Sequence, residues 1–310
     1  MVALLSSLAF LLPLVSAVEI GVDKTSCTAA KRFSPLNMAR LEVMDLAAVA
    51  AEKAHTLAQT NIAAAWLAGN LVDEQIFRTY QIFQTFFPLD GHGQQLTQAS
   101  IQTVAIGKLT SILLDKFINF HNNLNNPAFG PGTIQIWCGD RHIEQRQVGT
   151  DANGQPILRY FDTDKVPEVE MHHTFQKCAD LPTTNAYAFN GGSDIIVCDY
   201  AWRRKKQDLY VISGFRRNPQ SIQAGDSLDD YSLITGTLAH ELFHTYMGFH
   251  NDHQVVFNGQ MVGAYGTWGV MELAQQAPAN TLDNCESIML AAIAMFLDGW
   301  RWHEGYATAL

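Results

Sequence analysis

Apolar side chains recur at three- and four-residue steps through Val43, Leu46, Ala47, Ala50, Ala54, Leu57 and Ala65. That is the spacing of one helix face. Ser34-Pro35 offers a cap and a first-turn proline, and Gly69-Asn70 closes the run, which predicts a helix from 34 to about 68. A second helix is expected over 73–86, halted before Pro88, and a third over 97–119 with Ile101, Val104, Leu109, Ile112 and Phe117 inward. These make a helical lobe over about 34–121. Asn, Pro and Gly then crowd 122–132, the composition of a linker.

Beyond the linker the period drops to two. TIQIWC at 133–138 alternates and is rich in strand formers, and further short strands are expected at 157–161, 194–198 and 209–212. The stretches between them are polar and irregular, and RRKK at 203–206 reads as a solvated turn. Helical spacing returns with Ile234, Leu238, Leu242, Phe243 and Met247, and Gly248 is placed as its C-terminal cap. A polar loop over 250–263 follows, then a short helix over 270–276. A buried helix runs from about 281 to 298, with Glu286 able to bond back onto its first turn. Helices gathered first and strands afterwards give an α+β class.

The chain has 310 residues, 47% of them hydrophobic and 16% charged, enough apolar material for one large core or two lobes. Its net charge of -10 comes without any basic run interleaved with aromatic residues, so no nucleic-acid partner is expected. Residues 2–17, VALLSSLAFLLPLVSA, are apolar and carry no charged side chain. The run is short for a membrane span, and Val15 and Ala17 suit cleavage after Ala17, so we read 1–17 as a signal peptide and 18–310 as one secreted domain. No other segment is apolar enough to cross a bilayer. In an exported chain the five cysteines, none in a C-x-x-C pair, favour disulfides. We expect Cys178–Cys198, which closes a loop of moderate length in the strand region, and Cys27–Cys138, which ties the chain start to the first strand. Cys285, at the start of the buried last helix, is left free.

The chemistry concentrates in TLAHELFHTYMGFH at 237–250. His240 and His244 stand four residues apart on a helix, so both imidazoles project from one face and can share a zinc ion. Glu241 lies beside the metal, placed to take a proton from a water that zinc brings to a pKa of about 7.

Four stretches, TIQIWCGD, NAYAFNGGSDIIVCDYAW, LITGTLAHELFH and AYGTWGVMELAQQAPANTLDNCESIMLAAIAMFL, together resemble the deuterolysin-like metallopeptidases, the aspzincins, and especially related secreted fungal proteins. The resemblance covers most of the chain from Cys27 onward. It implies a zincin-like fold with helices packed on a small mixed sheet, one catalytic zinc, and protein or peptide substrates met by a monomer. It places Tyr265 to support an oxyanion. The family's third ligand is an aspartate in G-T-x-D-x-x-Y-G, and the matching slot here is Val262, which cannot bind metal. Substitutes are His250, six residues after His244, then Asp252, with His253 and Glu272 behind them. The leading expectation is a zinc metalloendopeptidase. The alternative is a secreted protein that keeps the fold without catalysis. No G-x-S-x-G run or nucleophilic cysteine context points to a serine or cysteine hydrolase.

Overall fold

A computed structural model describes residues 20–59, 73–87, 121–122, 134–171, 176–245 and 250–310. The leader, the first helix beyond 59, the helix expected over 97–119, nearly all of the linker and the Gly248 cap lie outside the described residues.

Strand β1 (Ile20–Val22) and helix α1 (Lys24–Ala29) precede the long helix α2 (Phe33–Gln59). α2 starts one residue before Ser34, because the Arg32 carbonyl accepts the Leu36 N–H and opens the helix there. Its Leu36, Val43, Leu46, Ala50 and Ala54 are buried, as their spacing requires. In α3 (Glu74–Phe86), the Asp73 carboxylate caps the N–H groups of Gln75 and Ile76.

Strands β2 (Ile134–Cys138), β6 (Ala186–Phe189) and β7 (Asp194–Val197) join β1 in a four-stranded sheet of order β1-β2-β7-β6. β1, β2 and β7 run parallel, and β6 runs antiparallel at the edge. A separate antiparallel ribbon of β3 (Ile143–Thr150), β4 (Pro156–Asp162) and β5 (Val169–Glu170) packs through Ile143 against Trp137 and Ile196 of the first sheet. β3 falls where the pattern suggested irregular chain, because it is mostly exposed and carries no apolar alternation. The class is α+β with small sheets.

The stretch 209–212 is not a strand. Its backbone serves helix starts: the Tyr210 carbonyl accepts the Ile234 N–H, and Ile212 leads into α4 (Ser213–Arg217). Nor is all of 203–206 solvated, since Lys206 bridges Asp226 and Asp230 and lies over the Tyr231 ring. The motif helix α5 spans Ile234–His244. After it come the hairpin β8 (Gln254–Phe257) and β9 (Gln260–Gly263), α6 (Gly266–Gln276), α7 (Cys285–Phe296), and a terminal hairpin of β10 (Arg301–His303) and β11 (Tyr306–Thr308). α7 is buried along its whole length, as a helix apolar on all sides must be. It packs on α2, α3 and α5.

Glu42 of α2 sits inside this packing. Its carboxylate accepts the Ile212 N–H at 2.7 Å, the Ser213 N–H and the Thr235 hydroxyl. One buried side chain thereby pins the starts of both α4 and α5. Hydrogen bonds to a charged group contribute about 1.5–3 kcal/mol each, and unpaired buried donors are costly. Glu42→Ala is therefore expected to lose at least about 3 kcal/mol of stability in urea denaturation. An unchanged midpoint would show that water replaces the carboxylate without cost.

Both expected disulfides are present, Cys27–Cys138 and Cys178–Cys198, and Cys285 is free and buried. The loops they close span 111 and 20 residues, and each contributes roughly 3 kcal/mol or more in the chain-entropy account. Two disulfides fit an extracellular protein. Among the described residues no helix is long and apolar enough to cross a membrane.

Candidate metal centre

α5 is buried from Ile234 through Phe243, so its polar residues are held in place by packing. His240 and His244 project from one face with their Nε2 atoms 3.2 Å apart. Each Nε2 also lies 3.2 Å from a different carboxylate oxygen of Asp252, which follows the motif helix in the loop before β8. His240, His244 and Asp252 together form a group able to hold a metal ion. With metal–ligand bonds of about 2.0–2.1 Å, tetrahedral ligand atoms stand roughly 3.3 Å apart, so these spacings fit.

The second nitrogen of each ring decides what the first can do. His240 Nδ1 lies 2.9 Å from Glu286 Oε2, and His244 Nδ1 lies 3.0 Å from the His250 carbonyl. A carboxylate and a carbonyl only accept, so both Nδ1 atoms carry hydrogen. Each Nε2 faces an Asp252 oxygen, so without a metal it donates its hydrogen there, and a bound metal would displace that hydrogen and take the Nε2 lone pairs.

Glu286 is held in turn. Its Oε1 accepts the Gly266 N–H at 2.9 Å. Gly266 adopts a φ of +66°, and a Cβ there would press on the Asp229 carboxylate. Glycine is the residue that takes this backbone freely. Glu286 does not bond back onto the start of α7 as its position suggested; it reaches across to α5 and α6. The D-x-x-E spacing of Asp283 and Glu286 reads locally as helix capping, and no local signal marks the long-range role. Outer partners of this kind typically change metal affinity by about 10- to 100-fold. Glu286→Gln should weaken metal binding within that range in chelator competition while the melting temperature moves little. Unaltered affinity would leave Glu286 a packing residue only.

No protein-family model matches this chain, and no curated protein matches its sequence.

Spacing ranks His250 first among the third-ligand candidates, but the structure brings Asp252 to the two histidines, while the His250 imidazole turns away and its Nδ1 meets Asp283 Oδ1 at 3.1 Å, with the ring against Phe243. Its backbone carbonyl serves His244 instead. His253 Nε2 faces the same Asp283 at 3.4 Å. Glu272 bonds Gln276 on α6, away from the group. Asp252 takes the place at the two histidines. Val262 is excluded by the pleat: it pairs with Val255 on the hairpin face that packs against Ala264 and Leu273.

Tyr265 stands at the group. Its hydroxyl donates to Asp252 Oδ2 at 2.9 Å, and its ring centroid is 6.0 Å from that of His240. Its ring is half exposed, and the nearby Trp268 ring meets Phe257. Glu241 is buried beside the histidines, and its carboxylate takes a hydrogen bond from the Ala188 backbone.

Charge and burial compete throughout the cluster. Burial works against the charge on His240, yet the carboxylates of Asp252 and Glu286 outweigh it and hold the ring's proton affinity well above the usual histidine range. His244 is raised in the same way, against burial, by Asp252 and Glu241. Burial opposes the Asp252 charge too, and the two histidines more than reverse this, so its pKa falls far below the carboxylate range. Burial pushes Glu241 up, against the pull of both histidines. A proton and a divalent cation balance the same carboxylate here, so they compete for one place. The Cys285 thiol lies 3.4 Å from His244 Nδ1, and burial pushes its pKa up, which keeps it protonated.

Proposed function

We propose that this chain is a secreted zinc-dependent endopeptidase acting on protein or peptide substrates, with a zincin-like fold of the deuterolysin-like kind. The observation that carries the proposal is the convergence of two Nε2 atoms and one carboxylate while both Nδ1 hydrogens are engaged elsewhere. Two imidazoles with one carboxylate are a donor set of catalytic zinc sites, which keep a further position open. When bound, zinc would polarise a scissile carbonyl and lower the pKa of a water to about 7.

The side chains divide the remaining work. Glu241 is beside the ligands, and its raised proton affinity suits a group that accepts a proton and returns it to a leaving amine. The Tyr265 hydroxyl is a donor beside the cluster that can turn to a developing oxyanion. Substrate delivery is served by the edge strand β6. The Cys198 N–H bonds the Asn185 carbonyl, so by alternation Ala186 and Ala188 aim their backbone groups outward. The Ala188 N–H already meets Glu241, so an extended peptide along this edge would take its main-chain hydrogen bonds from Ala186 and the Ala188 carbonyl and arrive beside Glu241.

The alternative of a non-catalytic secreted protein drew on Val262. Asp252 at the histidines supplies the third donor that Val262 cannot, which removes that objection to catalysis, while a zinc-binding protein without catalysis would use the same three residues. Metal content by mass spectrometry, paired with casein hydrolysis with and without chelator, tests it. The expected result is zinc near one per chain and hydrolysis that chelator abolishes. Zinc without hydrolysis would give the protein a binding role, and absence of both would sink the proposal.

Tyr265→Phe should retain zinc and lower turnover by about 100- to 1,000-fold, the usual worth of one oxyanion donor. A purely structural tyrosine would instead lower the melting temperature and leave turnover per folded molecule unchanged.

A further inference from the structure

The hairpin β8–β9 joins the metal group to an exposed apolar surface. Asn258 and Gly259 form its two-residue turn, with φ of 49° and 77°. Val256 pairs with Met261 and Gln254 with Gly263, so these four side-chain positions share one face. The Ala264 N–H bonds the His253 carbonyl, which carries the same alternation one step further, to Asp252 and Tyr265. The face that ends in the candidate ligand Asp252 is thus the face that carries Val256 and Met261. Those two are 52% and 60% exposed. Gly263 sits between them and the site, and the Tyr265 ring lies where a Cβ at 263 would be. The strip from Met261 to Tyr265 is therefore continuous and apolar.

The two edges of the hairpin differ. Phe257 and Gln260 flank the turn as the hydrogen-bonded pair, so Val256, Met261 and Gly263 turn their backbone groups outward. On β8 this edge is closed: the Gln276 amide accepts the Val256 N–H at 2.8 Å and donates to the Val256 carbonyl at 3.0 Å. On β9 no described group pairs with the outward N–H and C=O of Met261 and Gly263. Proteins commonly blunt exposed strand edges. Here the edge away from Tyr265 is blunted and the edge leading to Tyr265 is left open.

We propose that the β9 edge and the Val256–Met261–Tyr265 strip bind an extended polypeptide segment with apolar side chains at alternate positions, feeding it toward the metal group. The choice of a polypeptide as ligand rests on the peptidase reading. A bound strand would use Met261 and Gly263 for its main chain and the strip for every second side chain.

The probe is a fluorescent ten-residue peptide alternating Leu and Ser, with an all-Ser/Thr peptide of equal length as control. Fluorescence anisotropy is measured on the full chain, on Glu241→Gln, and on the double variant Val256→Lys with Met261→Lys. Because both positions are exposed, the double variant should fold, and circular dichroism checks that. The expected result is binding of the Leu/Ser peptide by the full chain and by Glu241→Gln, at least tenfold weaker in the Lys variant, with the control not retained. Met261→Pro, which removes an outward N–H without touching the ladder, should weaken binding as well. Equal binding by the Lys variant, or equal binding of both peptides, would overturn the proposal. So would a two-chain mass in light scattering that the Lys variant loses, which would give the face to a second copy of the chain. Binding that follows this pattern without any hydrolysis would leave the docking surface standing and remove the catalytic reading alone.

Discussion

Glu241→Gln is expected to keep its zinc and to lose about 100- to 10,000-fold in peptide turnover, the usual worth of a general base. The glutamine side chain has nearly the volume of glutamate and could still receive the Ala188 hydrogen bond, so the fold and the two histidines should be undisturbed. The loss should fall on kcat, because the base acts in the reaction and contributes little to substrate binding. Metal content and casein hydrolysis measured on one preparation separate the possibilities. Full turnover with zinc bound would show that Glu241 is not the base, and zinc lost with turnover would make it a support of the metal group instead.

The second large effect separates Asp252 from His250. Asp252→Ala removes the carboxylate that both Nε2 atoms face, and it should reduce zinc affinity by more than the roughly 10- to 100-fold that outer partners are worth. His250→Ala removes a ring that bonds Asp283 and lies against Phe243, while the His250 carbonyl still accepts from His244 Nδ1. Its cost should stay within that outer-partner range. Zinc competition against a chromophoric chelator reads both constants. The reverse order would return His250 to the first place that spacing alone assigns it.

What could be read from the residues was what repeats locally. The α2 face, the α3 helix, the β2 and β7 strands and the pairing of four cysteines all follow from short-range pattern and loop closure. His240 and His244 come from the same source, because their shared face is a property of one helix. The rest depends on contacts between distant segments. Glu286 looks like a first-turn residue of α7, and only the packing of α7 on α5 brings it to His240. Asp252 and His250 are two residues apart, and their roles are divided by Asp283, which draws the His250 ring aside and bonds Asn251 as well. The hairpin was available in the Asn258-Gly259 pair between β-branched and aromatic residues, a strong turn signal. The polar run 250–254 ahead of it masked it, and with it the alternation that turns Val262 inward and Asp252 to the site. The 209–212 stretch failed for the opposite reason: a strand-like pattern whose backbone is taken up by helix starts.

Anomalous diffraction at the zinc absorption edge, from crystals grown with zinc, locates the metal and its ligands. One strong peak is expected, bonded to His240 Nε2, His244 Nε2 and an Asp252 oxygen, at about 2.0–2.2 Å from each. A peak among His250, His253 and Asp283 instead, or no peak near the two motif histidines, would contradict that assignment.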